Sequence, residues 1–369
     1  MLKILEKIIN IKNKSKKDIQ FEKIKNSPEI VKLFECFSNS DSQAEIRFVG
    51  GFVRKVLADQ NFDDVDLAVN LNPEEVKNIL IHNNINFYET GIDHGTVTAV
   101  INQKKFEITS LRKDIKTDGR HAQVEFTKNW LEDASRRDFT INAIYSDIEG
   151  NLFDPFNGKK NLEDGEVKFI GDPVERIRED YLRILRYLRF FLEYSKNKHE
   201  KNTLKIIKQN LNGLKKISKD RQIQELKKIL SVKNFYKINS DKISKELFLL
   251  IFPELKNLER LSKLEAIMNK SNIDREILLA VLLIDETNNY EYFSHKYNVS
   301  NDLKENLKLI NENFIDVQKN KKFFQKDLKK NIYFFGKKHL IALNILYFSN
   351  FKKVKLQDYL NVLNNINKI

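Results

Sequence analysis

Residues 47–69 read RFVGGFVRKVLADQNFDDVDLAV. Alternating apolar residues predict a strand over 45–49, and the chain then turns on Gly50-Gly51. A short helical pattern follows, with Phe52, Val53, Val56 and Leu57 as its apolar side and Arg54 and Lys55 among them. A second strand-like run bears Asp64 and Asp66 with Val65 between. Side chains at i and i+2 of a strand share a face. The two carboxylates would project side by side and repel unless a cation or a proton lies between them. Paired oxygen ligands suit Mg²⁺, which binds through one or two carboxylates together with substrate phosphates. Glycines at a strand-to-helix turn, backed by an arginine, offer N–H groups and positive charge to the same phosphates. Alone, an Asp-x-Asp strand is often a solvated face and a Gly-Gly pair often only a turn. Their order within one short stretch points to metal-dependent chemistry on a nucleotide.

A chain of 369 residues can bury substantial cores and is expected to form two or more packing units. Its 41% hydrophobic and 32% charged residues fit a soluble globular protein. Lys and Arg total 65 against 52 Asp and Glu, a formal net charge of +13. That surplus favours a polyanionic partner, most simply nucleic acid, although a chain rich in Lys, Asn and Ile throughout accounts for part of it. Cys36 is the only cysteine, which excludes an intrachain disulfide and a cysteine metal cluster and suggests a reducing cytoplasm. The first seventeen residues form an amphipathic basic pattern without the apolar core and cleavage site of a secretory signal. No run reaches the roughly 18 apolar residues of a spanning helix, so no membrane partner is expected.

Outward from the opening stretch, residues 1–43 read as helical and polar, with Ser27-Pro28 starting a short helix. From residue 44 to about 147 the pattern is short β-like runs. Asn72-Pro73-Glu74-Glu75 is a strong helix start, with Asn72 as N-cap. Residues 96–101 and 105–111 read as a hairpin turning on Asn102-Gln103. The charged segment RKDIKTDGRHAQ (112–123) reads as a mobile surface loop. Residues 130–137 are predicted helical, and 141–146 return to the sheet. After a turn-rich passage over 147–171, helical periodicity takes over. Its clearest helix is predicted over 179–193, with Leu182, Leu185, Leu188, Phe191 and Leu192 as the apolar stripe.

Three further groups carry chemistry. Glu107, in the alternating run 105–109, either extends toward the same metal as a third carboxylate, faces solvent or pairs with a loop arginine. Arg136-Arg137-Asp138-Phe139-Thr140-Ile141-Asn142 packs polar groups beside apolar ones. Arginine forks match phosphate oxygens, and Asp and Asn bond ribose hydroxyls; a helix-end salt bridge alone would leave Asn142 and Arg137 together without a reason. In Arg178-Glu179-Asp180-Tyr181-Leu182-Arg183-Ile184-Leu185-Arg186, a helix would make Asp180 and Arg183 i,i+3 neighbours. The carboxylate accepts and the guanidinium donates, an edge able to pair with a nucleobase. Taken alone, such a pair is usually a surface ion pair worth about 0.3–0.5 kcal/mol. Paired lysines such as Lys329-Lys330 and Lys337-Lys338, near Tyr333-Phe334-Phe335, suit an RNA-tracking surface and equally suit solvated helix faces. The scattered histidines indicate no zinc site.

GGFVRK with DDVD, HGTVTAV, DGRHA, RRDFTINAI, DPFNGKKNLEDG and the run from GDP to REDYLRILRYLRF together resemble the class II tRNA nucleotidyltransferase and bacterial poly(A) polymerase family. The resemblance spans residues 45–194. It implies an α+β chain with a polymerase-β-type nucleotidyltransferase head on a small mixed sheet, followed by an all-helical neck, body and tail. The corresponding segments are an N-terminal extension over 1–43, the catalytic head over 44–147, a base-recognising neck over 148–215 and an RNA-binding body and tail over 216–369. It further implies nucleotide addition from CTP and ATP to an RNA 3′ end without a nucleic-acid template. By motif, Asp64 and Asp66 would hold Mg²⁺ in a two-metal arrangement. Gly50, Gly51 and Arg54 would hold the triphosphate, and Arg137, Asp138 and Asn142 would surround the ribose and phosphates. Asp180 and Arg183 would read the base, with Glu179 fixing their geometry and Arg186 contacting the nucleotide or bracing that pair. Residues 112–123 resemble the flexible loop associated with switching from C to A addition. Lys55 departs from the family, which usually has aspartate there.

The resemblance favours addition of CCA to the tRNA 3′ end. Poly(A) polymerases and enzymes adding only A or only CC are the nearest alternatives. Enterobacterial-type polymerases carry a basic [LIV]-[LIV]-G-R-R-F segment after the catalytic aspartates, and LNPEEVKNILIHNNINFYE lacks it. A silent RNA-binding scaffold fits poorly with the retained aspartates, and an antibiotic-modifying transferase fits poorly with the long basic helical body. Oligomeric state is left open by the sequence.

Overall fold

The computed structural model describes residues 16–40, 44–62, 64–91, 95–117, 122–269, 273–320 and 322–369. Most of the basic N-terminal pattern, Asp63 of DDVD, His94 and residues 118–121 of the DGRHA motif lie outside them. The chain divides into two compact units, Met1–Asp180 with Tyr194–Lys198, and Tyr181–Glu193 with His199–Ile369.

The first unit runs α1 (Lys16–Lys25), α2 (Pro28–Ser38), β1 (Ile46–Val49), α3 (Gly50–Leu57), β2 (Asp66–Val69), α4 (Pro73–His82), β3 (Asn86–Gly91), β4 (Thr96–Ile101) and β5 (Lys104–Ser110). It continues with β6 (Arg112–Thr117), β7 (Ala122–Phe126), α5 (Trp130–Ser135), a 3-10 turn at Thr140–Asn142, β8 (Tyr145–Ser146), β9 (Leu152–Phe153), α6 (Gly158–Asp164) and α7 (Pro173–Glu179). Seven strands form one mixed sheet in the order β3-β4-β5-β2-β1-β8-β9, and β6-β7 form a separate ribbon. β2 runs antiparallel to β1 and parallel to β5. The expected α4 start is present as a capping box, in which Glu75 N–H donates to Asn72 Oδ1 at 2.9 Å and Asn72 N–H to Glu75 Oε2 at 2.7 Å.

Strand alternation sorts the sheet's faces. Phe48, Leu67 and Ile108 enter a core with Leu33, Phe37, Val76, Leu80 and Val97. Val49 and Ala68 join the opposite cluster, with Trp130, Ala134, Ala143 and Tyr145. Asp66 is two residues before Ala68 and so shares its face, and the register sets Glu107 opposite Asp66.

Four expectations are corrected. Asp64 precedes β2, which starts at Asp66, where pairing with Glu107 of β5 begins; aspartate is a poor strand former. The presumed loop over 112–123 is largely an antiparallel ribbon, with Arg112 opposite Phe126 and Lys113 opposite Glu125; its charges line a pair of strands outside the main sheet and have no apolar alternation to betray them. Only Tyr145–Ser146 of 141–146 is strand, because Thr140–Asn142 coils into a 3-10 turn. The helix expected over 179–193 is two helices. Backbone at Asp180 is extended (φ −149°, ψ 104°), which ends α7 at Glu179, and Asp is among the weaker helix formers. Asp180 and Arg183 therefore do not share a helix.

The second unit is all helical: α8 (Leu182–Tyr194, whose last residue belongs to the first unit), α9 (Lys201–Asn210), α10 (Lys219–Leu230), α11 (Lys242–Ile251), α12 (Leu261–Met268), α13 (Arg275–Leu283), α14 (Asn289–Tyr297), α15 (Asn301–Lys319), α16 (Leu328–Phe335), α17 (Lys337–Asn350) and α18 (Leu356–Lys368). α8 buries Leu182, Ile184, Leu185, Tyr187, Leu188 and Phe190, a wider surface than the expected stripe, whose Phe191 and Leu192 are only half-buried. His199 pins α8 to α11. Its ring stacks on Phe191 at 3.4 Å, its Nδ1 meets the Tyr187 hydroxyl at 3.0 Å, and its Nε2 lies 2.8 Å from Ser244 Oγ. Among the described residues no helix is long and apolar enough to cross a membrane.

The same unit contains a pH-sensitive contact. Asn313 Nδ2 lies 3.0 Å from His339 Nε2, and a donating amide requires that nitrogen unprotonated. Burial pushes the His339 pKa from 6.5 down to about 4. Between those values the unfolded chain takes up a proton that the folded one refuses, so this contribution to stability is complete above 6.5 and lost as pH falls toward 4. Thermal melts of the wild type and His339→Gln between pH 7 and 4 should show a steeper acid decline in the wild type. Parallel declines would assign the loss to other groups.

Candidate active site

The glycine turn, β2 and the segment after α5 converge in the first unit. Gly50 adopts φ +61°, and a Cβ there would lie 3.2 Å from Arg137 Nη1. Only glycine takes this backbone without strain. A Cβ on Gly51 would lie 3.3 Å from Asp66 Oδ2 and 4.0 Å from Arg54 Nη2. The two glycines thus let an arginine, an aspartate and a helix start meet around one turn. Gly50 N–H is itself committed, donating to Ile144 O at 3.3 Å, so its part is shape; the amides α3 leaves over belong to the following residues.

Arg54 is buried. Its Nε donates to the Tyr194 hydroxyl at 3.0 Å and its Nη1 to Asn142 Oδ1. Asn142 Nδ2 in turn donates to Asp138 Oδ1 at 2.8 Å, which also accepts from Phe139 N–H at 2.9 Å. Asp138 and Asn142 are thus part of an internal network that orients Arg54.

Arg137 is held from below by Asp133, a residue with no role expected from sequence. Asp133 is 1% exposed. Its Oδ2 accepts from Arg137 Nη2 at 3.1 Å and from the Tyr145 hydroxyl at 2.6 Å, while its Oδ1 accepts from Arg136 at 2.8 and 2.7 Å. Burial alone would raise the Asp133 pKa, but Arg137, Arg136 and the Tyr145 hydroxyl outweigh it and hold the carboxyl far below its ordinary value. Burial opposes charge on Arg137 as well, and Asp133 reverses that, keeping the guanidinium firmly protonated. Arg176 adds a second layer, its Nη2 donating to the carbonyls of Arg136 and Arg137, the latter at 2.7 Å. The available sequence signal was the 133/136/137 spacing, which places an acid one helical turn before two arginines.

Asp66 faces this positive group from β2. Burial raises its pKa, the carboxylates of Glu107 and Asp64 raise it further, and Arg137 and Arg54 pull it back. Asp64 and Glu107 are exposed. No group of three or more His, Cys, Asp or Glu side chains among the described residues is close enough to form a metal cage. The donor set nonetheless fits a hard divalent cation: all its ligands are carboxylate oxygens, they repel one another, and such ions take one or two carboxylates and complete their shell from phosphate and water.

The residues expected to read the base are divided between the units. Glu179, paired with Arg176, and Asp180 belong to the first. Arg183, buried, and Arg186, with its guanidinium carbon 5.4 Å from the Phe190 ring, belong to α8 in the second.

A mixed sheet with a glycine turn, an acidic strand start and braced arginines defines a nucleotidyltransferase head. Residues 46–168 match the poly(A) polymerase head domain, and residues 198–259 match the probable RNA- and SrmB-binding site of polymerase A. The chain is 44% identical to CCA tRNA nucleotidyltransferase 1, mitochondrial, of Danio rerio, over 54% of this chain and 47% of that protein. It is 40% identical to the CCA-adding enzyme of Lactobacillus helveticus (strain DPC 4571), over 51% of this chain and 47% of the relative. The chain spans about half the length of these curated relatives. A crystal structure of a tRNA nucleotidyltransferase complexed with a primer tRNA and an incoming ATP analog superposes with a TM-score of 0.63 at 25% identity, covering 89% of this chain and 96% of that one. The Bacillus stearothermophilus CCA-adding enzyme in complex with CTP shares the fold, with a TM-score of 0.70 at 23% identity over 93% of this chain and 82% of that one. Residues 46–168 and 198–259 thus carry the head and RNA-binding modules of the poly(A) polymerase family, and about half of the chain is similar to named CCA-adding enzymes. That family works with a divalent metal ion.

Replacing Asp133 by Asn should leave two half-buried guanidiniums without their carboxylate. Losing one partner of a buried pair costs about 3–5 kcal/mol. Urea unfolding of Asp133→Asn should show a loss of that size, and a loss below about 1 kcal/mol would mean the arginines are neutralised elsewhere.

Proposed function

We propose that this protein adds C and A, from CTP and ATP, to the 3′ end of tRNA without a nucleic-acid template, completing CCA. The observation that carries the reading is the split site around the glycine turn: Arg54 and Arg137 on one side, Asp66 with Asp64 and Glu107 on the other. Opposite charges facing across a small turn suit a metal–triphosphate complex better than either ion alone. The similarity to named CCA-adding enzymes supports the choice of tRNA as substrate.

In this reading Asp64 and Asp66 hold Mg²⁺, with Glu107 as a further carboxylate beside them. When bound, the metal supplies charge that lowers the pKa of the RNA 3′-hydroxyl and offsets the negative charge of the departing pyrophosphate. Arg54 and the turn of Gly50 and Gly51 position the triphosphate. Arg137 contacts phosphate, while Asp138 and Asn142 orient the ribose edge. Asp180 and Arg183 select the base, Glu179 and Arg186 support them, and the helical segment over 216–369 carries the tRNA. The head, neck, and body-with-tail segments keep the boundaries 44–147, 148–215 and 216–369, following the extension at 1–43. The site of action in this reading is the cytoplasm, in keeping with a chain that has a single cysteine.

The test supplies purified protein and Mg²⁺ with tRNA lacking CCA, or ending after its first or second C, and CTP, ATP or both. Two C residues and then one A, with arrest, is the expected product; long A tracts on unrelated RNAs would replace this reading with a poly(A) polymerase. Asp64→Ala should abolish incorporation while leaving tRNA binding intact, and residual wild-type rates would remove Asp64 from the chemistry. Arg183→Ala should reduce discrimination among nucleotides for both the C and the A steps by about tenfold or more, with triphosphate affinity nearly unchanged. Unaltered selectivity would sink the base-reading role.

A further inference from the structure

The passage DPFNGKKNLEDG (154–165) supplies no group to the nucleotide chemistry, yet it packs directly against the 3-10 turn that carries Asn142. Thr140, the first residue of that turn, is buried and held at three points. Its N–H donates to Lys168 O at 3.0 Å and its Oγ1 donates to Asn161 Oδ1 at 2.9 Å. Its carbonyl lies against Gly158, where a Cβ would come within 2.2 Å of the oxygen. So close an approach to backbone admits only glycine. Asn161, on α6, is buried as well, and both ends of its amide are engaged. Its Nδ2 donates to Glu166 Oε2 at 3.0 Å, and Lys168 Nζ holds the same carboxylate oxygen at 2.6 Å. An ionised carboxylate only accepts, so the amide nitrogen faces Glu166 and the amide oxygen faces Thr140. The Thr140 hydroxyl is therefore the donor of the pair.

Resting on the reading of Asp138 and Asn142 as the groups that orient the ribose, we propose that Thr140 and Asn161 are positioning residues for sugar recognition. Their buried hydrogen bond fixes the turn that sets Asn142 beside Asp138, and with it a preference for ribose over deoxyribose. Asn142 follows Thr140 by two residues in one tight turn, in which Asn142 N–H donates to Phe139 O at 2.9 Å and Ala143 N–H to Thr140 O at 3.1 Å. A tilt of the turn therefore moves the Asn142 amide, which donates to Asp138 Oδ1 and accepts from Arg54. Displacing a substrate-recognising group by about 1 Å can cost about 10²-fold. Because the sugar is common to CTP and ATP, Thr140 and Asn161 act on both alike and take no part in choosing the base.

The test compares the full-length wild type with Thr140→Val, Thr140→Ser, Asn161→Ala and Asn142→Ala. Thr140→Val keeps the branched shape and removes only the hydroxyl, whereas Thr140→Ser keeps the hydroxyl. Two ratios are measured with Mg²⁺ present: affinity for CTP over dCTP by calorimetry without tRNA, and kcat/KM for CTP over dCTP on tRNA lacking CCA. Both should favour CTP in the wild type, fall about threefold or more in Thr140→Val and Asn161→Ala, and stay within about twofold of wild type in Thr140→Ser. The preference for ATP over dATP should fall in step. Combining Thr140→Val with Asn161→Ala should lower the ratios no further than either alone, since both remove one bond. Melting temperatures should fall by less than about 4 °C, and a general loss of stability would leave the ratios unmoved. A ribose preference that survives Thr140→Val but falls in Asn142→Ala would overturn the proposal, as would an equal fall in Thr140→Ser. A preference unmoved by Asn142→Ala would overturn the ribose reading and the proposal with it. A chain that prefers CTP in calorimetry but adds nothing to tRNA would instead defeat the substrate reading, and the affinity ratios would still decide the role of Thr140 and Asn161.

Discussion

Asp133 sits under the positive half of the site with 1% of its surface exposed and two guanidiniums on its carboxylate. An isolated carboxylate so deep would cost several kcal/mol in desolvation and would bind a proton instead. Here Arg136 and Arg137 make ionisation the lower-energy state. Asp133 with Arg136 and Arg137 carries one more positive than negative charge, so the region is electropositive while the buried carboxylate is satisfied. Tyr145 contributes to both sides, donating to Asp133 and accepting from Arg137 Nε at 3.0 Å. Strand β8 is therefore tied to α5 through the same carboxylate that fixes the arginine.

The second constraint is continuity between segments distant in sequence. Arg54 starts from the glycine turn, Asn142 from the 3-10 turn and Tyr194 from the end of α8, and three hydrogen-bonding side chains join them. The 3-10 turn is itself anchored where Thr140 Oγ1 donates to Asn161 Oδ1 at 2.9 Å on α6. Cooperative side-chain networks of this kind are stable only when each member is satisfied. Removing one member should misplace the others and not merely delete a contact.

The legible part of this site was local. Gly50, Gly51, Arg54 and Asp66 lie close together in sequence, and their spacing alone placed them on a strand, a turn and a helix. The seven-strand sheet followed less directly, because β2 pairs in parallel with β5 across α4 and two intervening strands, and register between distant strands leaves no mark in either one. Asp133 was not legible at all. On paper it is an acid in a short helix, and only tertiary burial turns it into the support of Arg137. The break at Asp180 had the opposite cause: the apolar period runs on through 179–193, so the pattern predicts one helix, whereas a single extended residue is enough to end it. β6 reads as loop in the sequence because its residues are mostly charged and it pairs outside the main sheet.

The position of Asp64 bears on how the acidic half works. In a regular strand it would be locked beside Asp66 with the repulsion built into the fold. It lies before the strand begins and is exposed, while Asp66 is held by backbone pairing opposite Glu107. The fixed carboxylate is thus the partly buried one, and the acids near it are exposed. Repulsion among the three carboxylates is eased by the solvent around Asp64 and Glu107 and by the nearby arginines. Such an arrangement would keep negative charge available for the divalent ion of the proposed function. In the proposed function the arginines would set the geometry, and the solvated carboxylates would adapt to a divalent ion.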